Sequence, residues 1–512
     1  MVVQTGGVQG VSESDRELLD AAALCGHLLG KGSVHGLLAE HRHRLFPDEL
    51  FADLFPNRRG RPSVPADVIA TVMVLQALEG LSDRDAIASL RTNIAWKAAA
   101  GLALDDEGFH PTVLTLWRNK LRTSERPQRI FDAVRAVVAE TGVLNGRTRR
   151  VLDSTVLDDA VVRQDAVMQL VAQIRRVRRL VPEVMRAYLR GHDYDDGGSK
   201  PLCDWDDPAD IDRVVTALVN DALEVLLICE NLELDEAQAE AVGLLALVAG
   251  QDTEPGVRPG TWRITQGTAK ERMVSTVDPE SRHVHKTTSN YRDGFKAHIG
   301  VEPDTVIITA CALTAGNVGD AQAAPALLAD EPAPVEVLGD SAYGSGEFRR
   351  HLADEGHTAV IKPGPLGSAV KGGFTLDDFE IDTTAKTVTC PAGHTVKIRE
   401  SGAVSFTKHC AGCPLRKHCT TAKKGRVIQL HEHHDLLAAA RRQAATPAFQ
   451  DIYRQHRPMV ERTIAWMVRR YRKVRFRGIA RNQIGLAHRC AAINLTRLIN
   501  LGTHHNGTRW TI

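Results

Sequence analysis

Across 512 residues the chain has no run of eighteen apolar residues, and aromatics make up only 5%. Without such a run, no membrane-spanning helix is expected. The start, MVVQTGGVQGVSESDREL, lacks a basic stretch followed by an apolar one, so a signal peptide is not expected and the cytoplasm is. Net charge is nearly absent too: 64 Lys and Arg against 63 Asp and Glu leave +1. No internal repeat or low-complexity tract stands out. Nine cysteines are too few for a secreted disulfide scaffold of this length, and a cytosolic chain keeps them reduced. Five of them, Cys25, Cys203, Cys229, Cys311 and Cys490, read most simply as small apolar fillers.

A chain this long exceeds one ordinary core, so two to four structural units are expected. Its 43% hydrophobic and 25% charged residues are those of a soluble globular protein. The neutral total hides segregation, and a polyanion responds to regional charge rather than to the sum. Acids crowd residues 193–212, DYDDGGSKPLCDWDDPADID. They read as plain surface or, alternatively, as a self-inhibiting cover for a basic groove. From Arg454 to Arg489 stand eleven arginines or lysines and a single acid, Glu461.

Residues 63–140 read as helices. SVPADVIATVMVLQALEG opens with a Ser63 cap signal and Pro65, carries Val68, Val72, Leu75 and Leu78 at helical spacing, and stops at Gly80. Two further amphipathic stretches follow, with Arg84, Arg91, Arg118, Lys120 and Arg122 expected outside. Short helices joined by tight turns suit a helix-turn-helix-like DNA reader and, equally, an ordinary bundle with solvated cations. Residues 149–156 are short, β-branched and bounded by turn formers, hence a strand. Residues 161–250 return to helix, and the Pro/Gly-rich 252–262 is a linker. Strand signals follow through GFKAHIGVEPDTVIITACALT, where EPDT is a hairpin turn, and through APVEVLGDSAYGSGEF, a strand closing at Asp340. Strands broken by long helical segments indicate an α/β fold with a large helical insertion.

Cys390, Cys410, Cys413 and Cys419 are spaced C-x19-C-x2-C-x5-C. A C-x2-C knuckle places two thiolates on one turn, and two more complete a tetrahedral set that suits a closed, structural zinc ion. His394, His409 and His418 can each replace a thiolate. HEHH at 431–434 could bind a metal but, after a strand, reads rather as exposed polar surface.

Three acids stand out by setting. Asp153 lies on a strand in VLDST, Asp340 closes another in VLGDSAYG, and Glu461 follows Pro458 at a helix-favouring position. At about 100° per residue, Val460, Ile464, Met467, Val468 and Tyr471 form an apolar stripe. Glu461 sits at its edge, beside the face bearing Arg462, Arg469, Arg472 and Lys473. A carboxylate there can reach a site on the sheet while cations grip phosphate outside. Hard divalent cations such as Mg²⁺ need only two or three carboxylates beside substrate phosphate. The other reading of Glu461 is an intrahelical partner for Arg457 or Arg454. Asp158, Asp159 and Asp165 compete with Asp153, and their place after the strand suits a loop or helix start.

In order along the chain, GRPSVPADVIATVMVLQALEGLSDRDA, VLDST, YRDGFKAHIGVEPDTVIITACALTAGNVGD, VLGDSAYGS, the cysteine insert and YRQHRPMVERTIAWMVRRYRKVRFRG resemble a DDE transposase of bacterial insertion sequences. The resemblance implies an α/β catalytic domain with a ribonuclease-H-like mixed five-stranded sheet flanked by helices, spanning 146–365 and 425–500. It comes with an N-terminal all-helical DNA-binding domain (1–145), a helical insertion (161–255), a zinc-ribbon-like insert (366–424) and a tail (501–512). The implied triad is Asp153, Asp340 and Glu461, holding two Mg²⁺ ions, with Mn²⁺ as a substitute. Arg454, Arg457, Arg462, Arg469, Arg472 and Lys473 would bind DNA. The implied partners are terminal inverted repeats, target DNA and a second copy of the chain, and the implied place is the nucleoid.

Related enzymes often carry a Tyr-Arg-Glu-Lys signature around the glutamate. Arg457 matches it, but Arg454 stands at the tyrosine position, with Tyr453 next to it, and Val468 at the lysine position, with Arg469 next to it. That departure puts those two DNA contacts in doubt and leaves the triad intact. A tyrosine or serine recombinase finds no signature among the six tyrosines. A catalytically inactive transposase-derived DNA-binding protein and a metal-dependent nuclease of the same fold remain as alternatives.

Overall fold

The computed structural model describes residues 8–10, 19–30, 32–56, 60–196, 200–267, 269, 271–287, 290–332 and 334–512. The reading of the chain's start rests largely on 1–7 and 11–18, and part of the acidic loop is 197–199; these lie outside the described residues.

A mixed sheet forms around β1 (Arg149–Asp158). The other strands are β2 (Arg282–Thr287), β3 (Asn290–Val301), β4 (Ile308–Ala315), β5 (Glu336–Gly339) and β6 (Thr358–Ile361). Their order is β2-β3-β1-β5-β6, with β4 also on β3. β3 runs antiparallel to β1, whereas β5 and β6 follow in parallel. Six strands stand where the resemblance implies five. The cause is the length of β3, whose later half pairs with β4 and whose earlier half pairs with β2. Val151, Leu152, Val156 and Leu157 of β1 are all 2% exposed or less, so both faces are covered, as a central strand requires.

The N-terminal helices include α1 (Val34–Leu45), α2 (Ala66–Glu79), α3 (Asp83–Thr92), α4 (Ile94–Ala100), α5 (Thr112–Thr123) and α6 (Arg129–Thr141). Eleven of the fourteen residues of α2 are buried, which makes it a core element rather than an amphipathic surface one. Ser63 does not cap it: Pro65 is the capping residue, and the Ser63 hydroxyl accepts from the Gly10 amide at 3.0 Å. Gly80 ends α2 at φ +72°, and a Cβ there would lie 2.8 Å from the Arg470 Cβ. Glycine is therefore required both for the turn and for the approach of Arg470.

Two of the cations expected outside are not. Arg118 is 8% exposed, ion-paired with Asp83 and placed 4.8 Å over the Phe476 ring. Lys120 donates to the Leu54 carbonyl at 3.0 Å and lies over Phe55. Partners from distant segments absorb both charges, and periodicity within one helix could not reveal them. Arg84, Arg91 and Arg122 are exposed as expected.

Three long helices form the insertion: α7 (Ala166–Leu180), α8 (Pro208–Cys229) and α9 (Glu236–Gln251). They share a core of their own around Leu170, Ile174, Leu218 and Leu245. The acidic loop pairs with this unit, Asp195 with Arg178 at 3.5 Å and Asp210 with Arg213 at 2.5 Å. α10 (Asp320–Leu328) and α11 (Gly346–Asp354) cover one face of the sheet. The cysteine insert is built from short strands on a small core of Phe379, Val388, Val404 and Phe406.

α12 (His434–Ala444) leads into α13 (Pro447–Val468), and α14 (Ile479–Asn500) completes the opposite layer. Ala487, Cys490, Ala491 and Ala492 are wholly buried, and their small side chains let α14 approach the sheet closely. It closes the open edge of β4. Asn494 accepts from the Ile308 amide and donates to the Ile308 carbonyl, both at 2.8 Å, and Gln483 accepts from the Leu313 amide at 2.6 Å. Unpaired edge groups that would invite another strand are thereby satisfied. One apolar core runs from α1–α6 through α14 to the sheet. Among the described residues, no helix is long and apolar enough to cross a membrane.

Candidate catalytic site

β1 and β5 meet in parallel register, Arg149 against Glu336 and Val151 against Leu338. Two residues beyond the last of these pairs stand Asp153 and Asp340. The register thus brings together carboxylates 187 positions apart in sequence. Asp153 remains within β1 and accepts from the Ser154 amide at 2.8 Å. Asp340 ends its strand and caps a single turn, accepting from the Ala342 amide at 2.8 Å.

Between them reaches Arg457 from α13. Its guanidinium donates to Asp153 Oδ2 at 3.0 Å and lies 3.8 Å from Asp340 Oδ2. Arg457 is 7% exposed. Burial pushes the Asp153 carboxyl above its ordinary value, against the pull of Arg457. Burial acts the opposite way on Arg457, but its bond to Asp153 overrides that and holds the guanidinium firmly protonated. The two carboxylates therefore sit in a pocket that already holds one cation.

Two tyrosines border this site. Tyr453, one turn before Arg457, is within hydrogen-bond reach of the same guanidinium, and burial raises its hydroxyl pKa. Arg454 instead points outward to Asp451 at 3.5 Å. Arg454, at the position where the signature expects tyrosine, faces away from the carboxylates, and the neighbouring Tyr453 is the residue beside Arg457. Tyr343 is wholly buried; burial and the charges of Asp320, Asp153 and Asp340 raise its pKa. Its hydroxyl has no partner among the described residues. The aromatic in GDSAYG was the only sequence signal for it.

Glu461 is not in this cluster. It is exposed and makes no hydrogen bond or ion pair among the described residues. It lies one turn after Arg457, about 6 Å along the helix axis. The intrahelical pair with Arg457 or Arg454 does not form, since both arginines bond elsewhere. The stripe beside it is as expected: Val460, Met467, Val468 and Tyr471 are buried and Ile464 is half-buried. Among the described residues, no three His, Cys, Asp or Glu are placed to hold a metal ion.

The competing acids are engaged elsewhere. Asp158 pairs with Arg292, Asp159 accepts from the Ser281 hydroxyl at 2.6 Å, and Asp165 caps α7. Of the cations expected to meet DNA, Arg454, Arg462, Arg469, Arg472 and Lys473 are exposed, whereas Arg457 is bound to the carboxylates. Arg472 and Lys473 are tied to the end of β1, where the Asp158 amide donates to the Arg472 carbonyl at 2.8 Å.

Cys390, Cys410, Cys413 and Cys419 all line one small cavity, with His394 and His409, and the Arg426 amide donates to Cys410 Sγ at 3.4 Å. Thiolates and imidazoles are donors that zinc takes, but no group of three such residues is placed to hold a metal ion among the described residues. His434 of HEHH is buried rather than exposed, while His431 pairs with Glu347 at 3.1 Å.

Residues 35–120 match a family described as Transposase domain (DUF772), and residues 389–499 match one described as Transposase DDE domain. No curated protein and no solved structure matches the chain.

Proposed function

We propose, for a chain that belongs to the insertion-sequence DDE transposases, that it cuts DNA strands at element ends and joins them to target DNA. The site would be built on Asp153, Asp340 and Glu461. The observation that carries this reading is the single guanidinium of Arg457 shared by Asp153 and Asp340. Two carboxylates on adjacent strands demand a neutralising cation, and oxygen donors of this kind suit Mg²⁺ or Mn²⁺. Such ions, when bound, supply charge that activates the attacking oxygen and stabilises the leaving one. Glu461 would complete the set by turning inward along α13.

In the first step, a water oxygen attacks phosphorus and the bond to the 3′ oxygen breaks, leaving a 3′-hydroxyl once that oxygen takes a proton. In the second, the oxygen of this hydroxyl gives up its proton and attacks phosphorus in a target phosphodiester. The target's own bond to its 3′ oxygen breaks, and that oxygen takes a proton to leave a 3′-hydroxyl on the cut target strand. Arg457 keeps the two aspartates in register, while Arg462, Arg469, Arg472 and Lys473 hold phosphates. The order β4-β3-β1-β5-β6 supports a ribonuclease-H-like fold. Recognition of terminal repeats by the helices of 63–140, a dimer bridging two ends and residence at the nucleoid belong to the same proposal.

Cleavage and joining assays on Asp153→Asn, Asp340→Asn and Glu461→Gln test it. Each is expected to lose more than about a hundredfold in turnover; near-normal turnover removes that residue from the site. The exposed Glu461 favours one second reading, an inactive DNA-binding descendant, which would bind end sequences yet never cut them. For the cysteine insert we propose one structural zinc per chain. Elemental analysis of the purified protein should find it, and Cys413→Ser should abolish it; a folded protein free of zinc ends this part.

A further inference from the structure

α13 and α14 enclose a second feature that the carboxylate site does not use. A cavity of about 350 Å³ is lined by Leu78, Ile493, Trp466 and four arginines, Arg469, Arg470, Arg489 and Arg497. Trp466 follows Arg457 by nine residues, about 14 Å along the helix and on its opposite side, so the cavity is separate from Asp153 and Asp340.

The charges in this cavity are balanced differently from those of several other buried arginines, although Arg349 likewise bonds only a carbonyl, that of Ile361. Comparably buried arginines such as Arg42, Arg129 and Arg150 are ion-paired with acids. Among the described residues none of the four cavity arginines has a carboxylate partner. Arg470 donates to the Glu79 carbonyl at 3.3 Å, Arg497 to the Thr305 carbonyl at 3.0 Å, and Arg489 to the carbonyls of Ala77, Leu78 and Trp466. Arg489 is 5% exposed, and its buried Nε has no partner among the described residues. Arg469 is exposed and makes no hydrogen bond among them. Carbonyl bonds orient a guanidinium without cancelling its charge, so the cavity holds a concentrated positive potential.

Its wall is aromatic. Trp466 is 41% exposed, unusually open for so large an apolar side chain. Arg489 bonds its backbone carbonyl at 2.9 Å, and the Arg497 guanidinium lies 5.8 Å from the ring centroid, over the indole. Leu78 and Ile493 supply further apolar lining. An apolar, aromatic slot rimmed by uncompensated guanidinium groups matches a base flanked by phosphates. Duplex phosphates alone would need the cations but not the open indole.

We infer that this cavity binds a single unstacked nucleotide of a DNA strand, its base against Trp466 and its flanking phosphates on Arg469 and Arg470. The inference rests on the reading that the chain works on DNA, but not on the carboxylate chemistry. It is tested with the full chain, without divalent metal, on a short single-stranded oligonucleotide carrying 2-aminopurine. The wild type should quench the probe by stacking. Trp466→Ala should restore the fluorescence and weaken binding by about ten- to a hundredfold, with Trp466→Phe recovering part of both. Asp153→Asn should quench like the wild type, whatever its cleavage activity, so failure of the carboxylate site and failure of this cavity are told apart. Trp466 is half open, and an unchanged thermal unfolding curve of Trp466→Ala would certify its fold. Undiminished quenching by Trp466→Ala overturns the inference. So does a fully paired duplex that loses as much affinity as the single strand in that variant, or displacement of the oligonucleotide by equimolar acidic peptide 193–212.

Discussion

One helix carries two kinds of arginine. On the sheet-facing side of α13, Arg457 is buried and bonded to Asp153 and Asp340. Just past its other end, Arg469 and Arg470 project beside an open tryptophan with no acid to pair with. The residue type is the same. The difference lies in what the rest of the fold brings up to each one: the middle of one strand and the end of its neighbour in the first case, and the turn after α2 together with α14 in the second. A cation facing carboxylates organises a site, whereas a cation facing carbonyls remains available to an anion from outside.

Substitution at Arg457 should break this contrast most strongly. Arg457→Ala leaves Asp153 buried without its counter-charge and is expected to cost about 3–5 kcal/mol in urea unfolding, against about 0.5 kcal/mol or less for Arg469→Ala. Equal costs for the two would mean that the Asp153 contact contributes nothing to stability.

Buried histidines give the same contrast a pH axis. Burial lowers the pKa of His298 to about 4 and of His488 to about 3. Both stay neutral in the folded chain, while the unfolded chain takes up protons below its ordinary value near 6.5. Stability is therefore complete above pH 6.5 and falls on acidification, by about 1.4 kcal/mol per pH unit for each histidine, until the folded-state values are reached. His488→Gln should remove roughly half of that slope; an unchanged slope would assign the acid sensitivity to other groups.

The smallest effect lies at the exposed end. Arg469→Ala should lower the salt dependence of DNA binding by about one phosphate equivalent and leave unfolding alone. If Arg457→Ala produced the larger change in salt slope, the two arginines would have exchanged roles.

The sequence made much of this legible. VLDST reads as part of a strand because residues 149–156 are short, β-branched and bounded by turn formers, and the stripe from Val460 to Tyr471 follows from helical periodicity alone. Other features depend on contacts between segments tens to hundreds of residues apart. The partners of Arg118, Asp83 on α3 and Phe476 after α13, are invisible to a pattern read within one helix. The sixth strand exists because β3 is long enough to take two neighbours, and pairing length is set by tertiary contact rather than propensity. That Tyr453 rather than Arg454 borders Arg457 was not legible either, since the helix turns about 100° per residue and packing decides which side chain faces inward.

From the amino acids alone came the local grammar: which stretches are strand or helix, where charge accumulates, and which acids stand at strand ends. These depend on steric preference and periodicity within a dozen residues. Tertiary structure alone determined that Arg457 would neutralise two aspartates while Glu461 stayed in solvent. It also determined that, among the described residues, the four arginines near Trp466 would meet no carboxylate, three of them bonding only carbonyls. Ion pairing depends on distance in space, and a linear chain does not state that distance until its sheets and helices have packed.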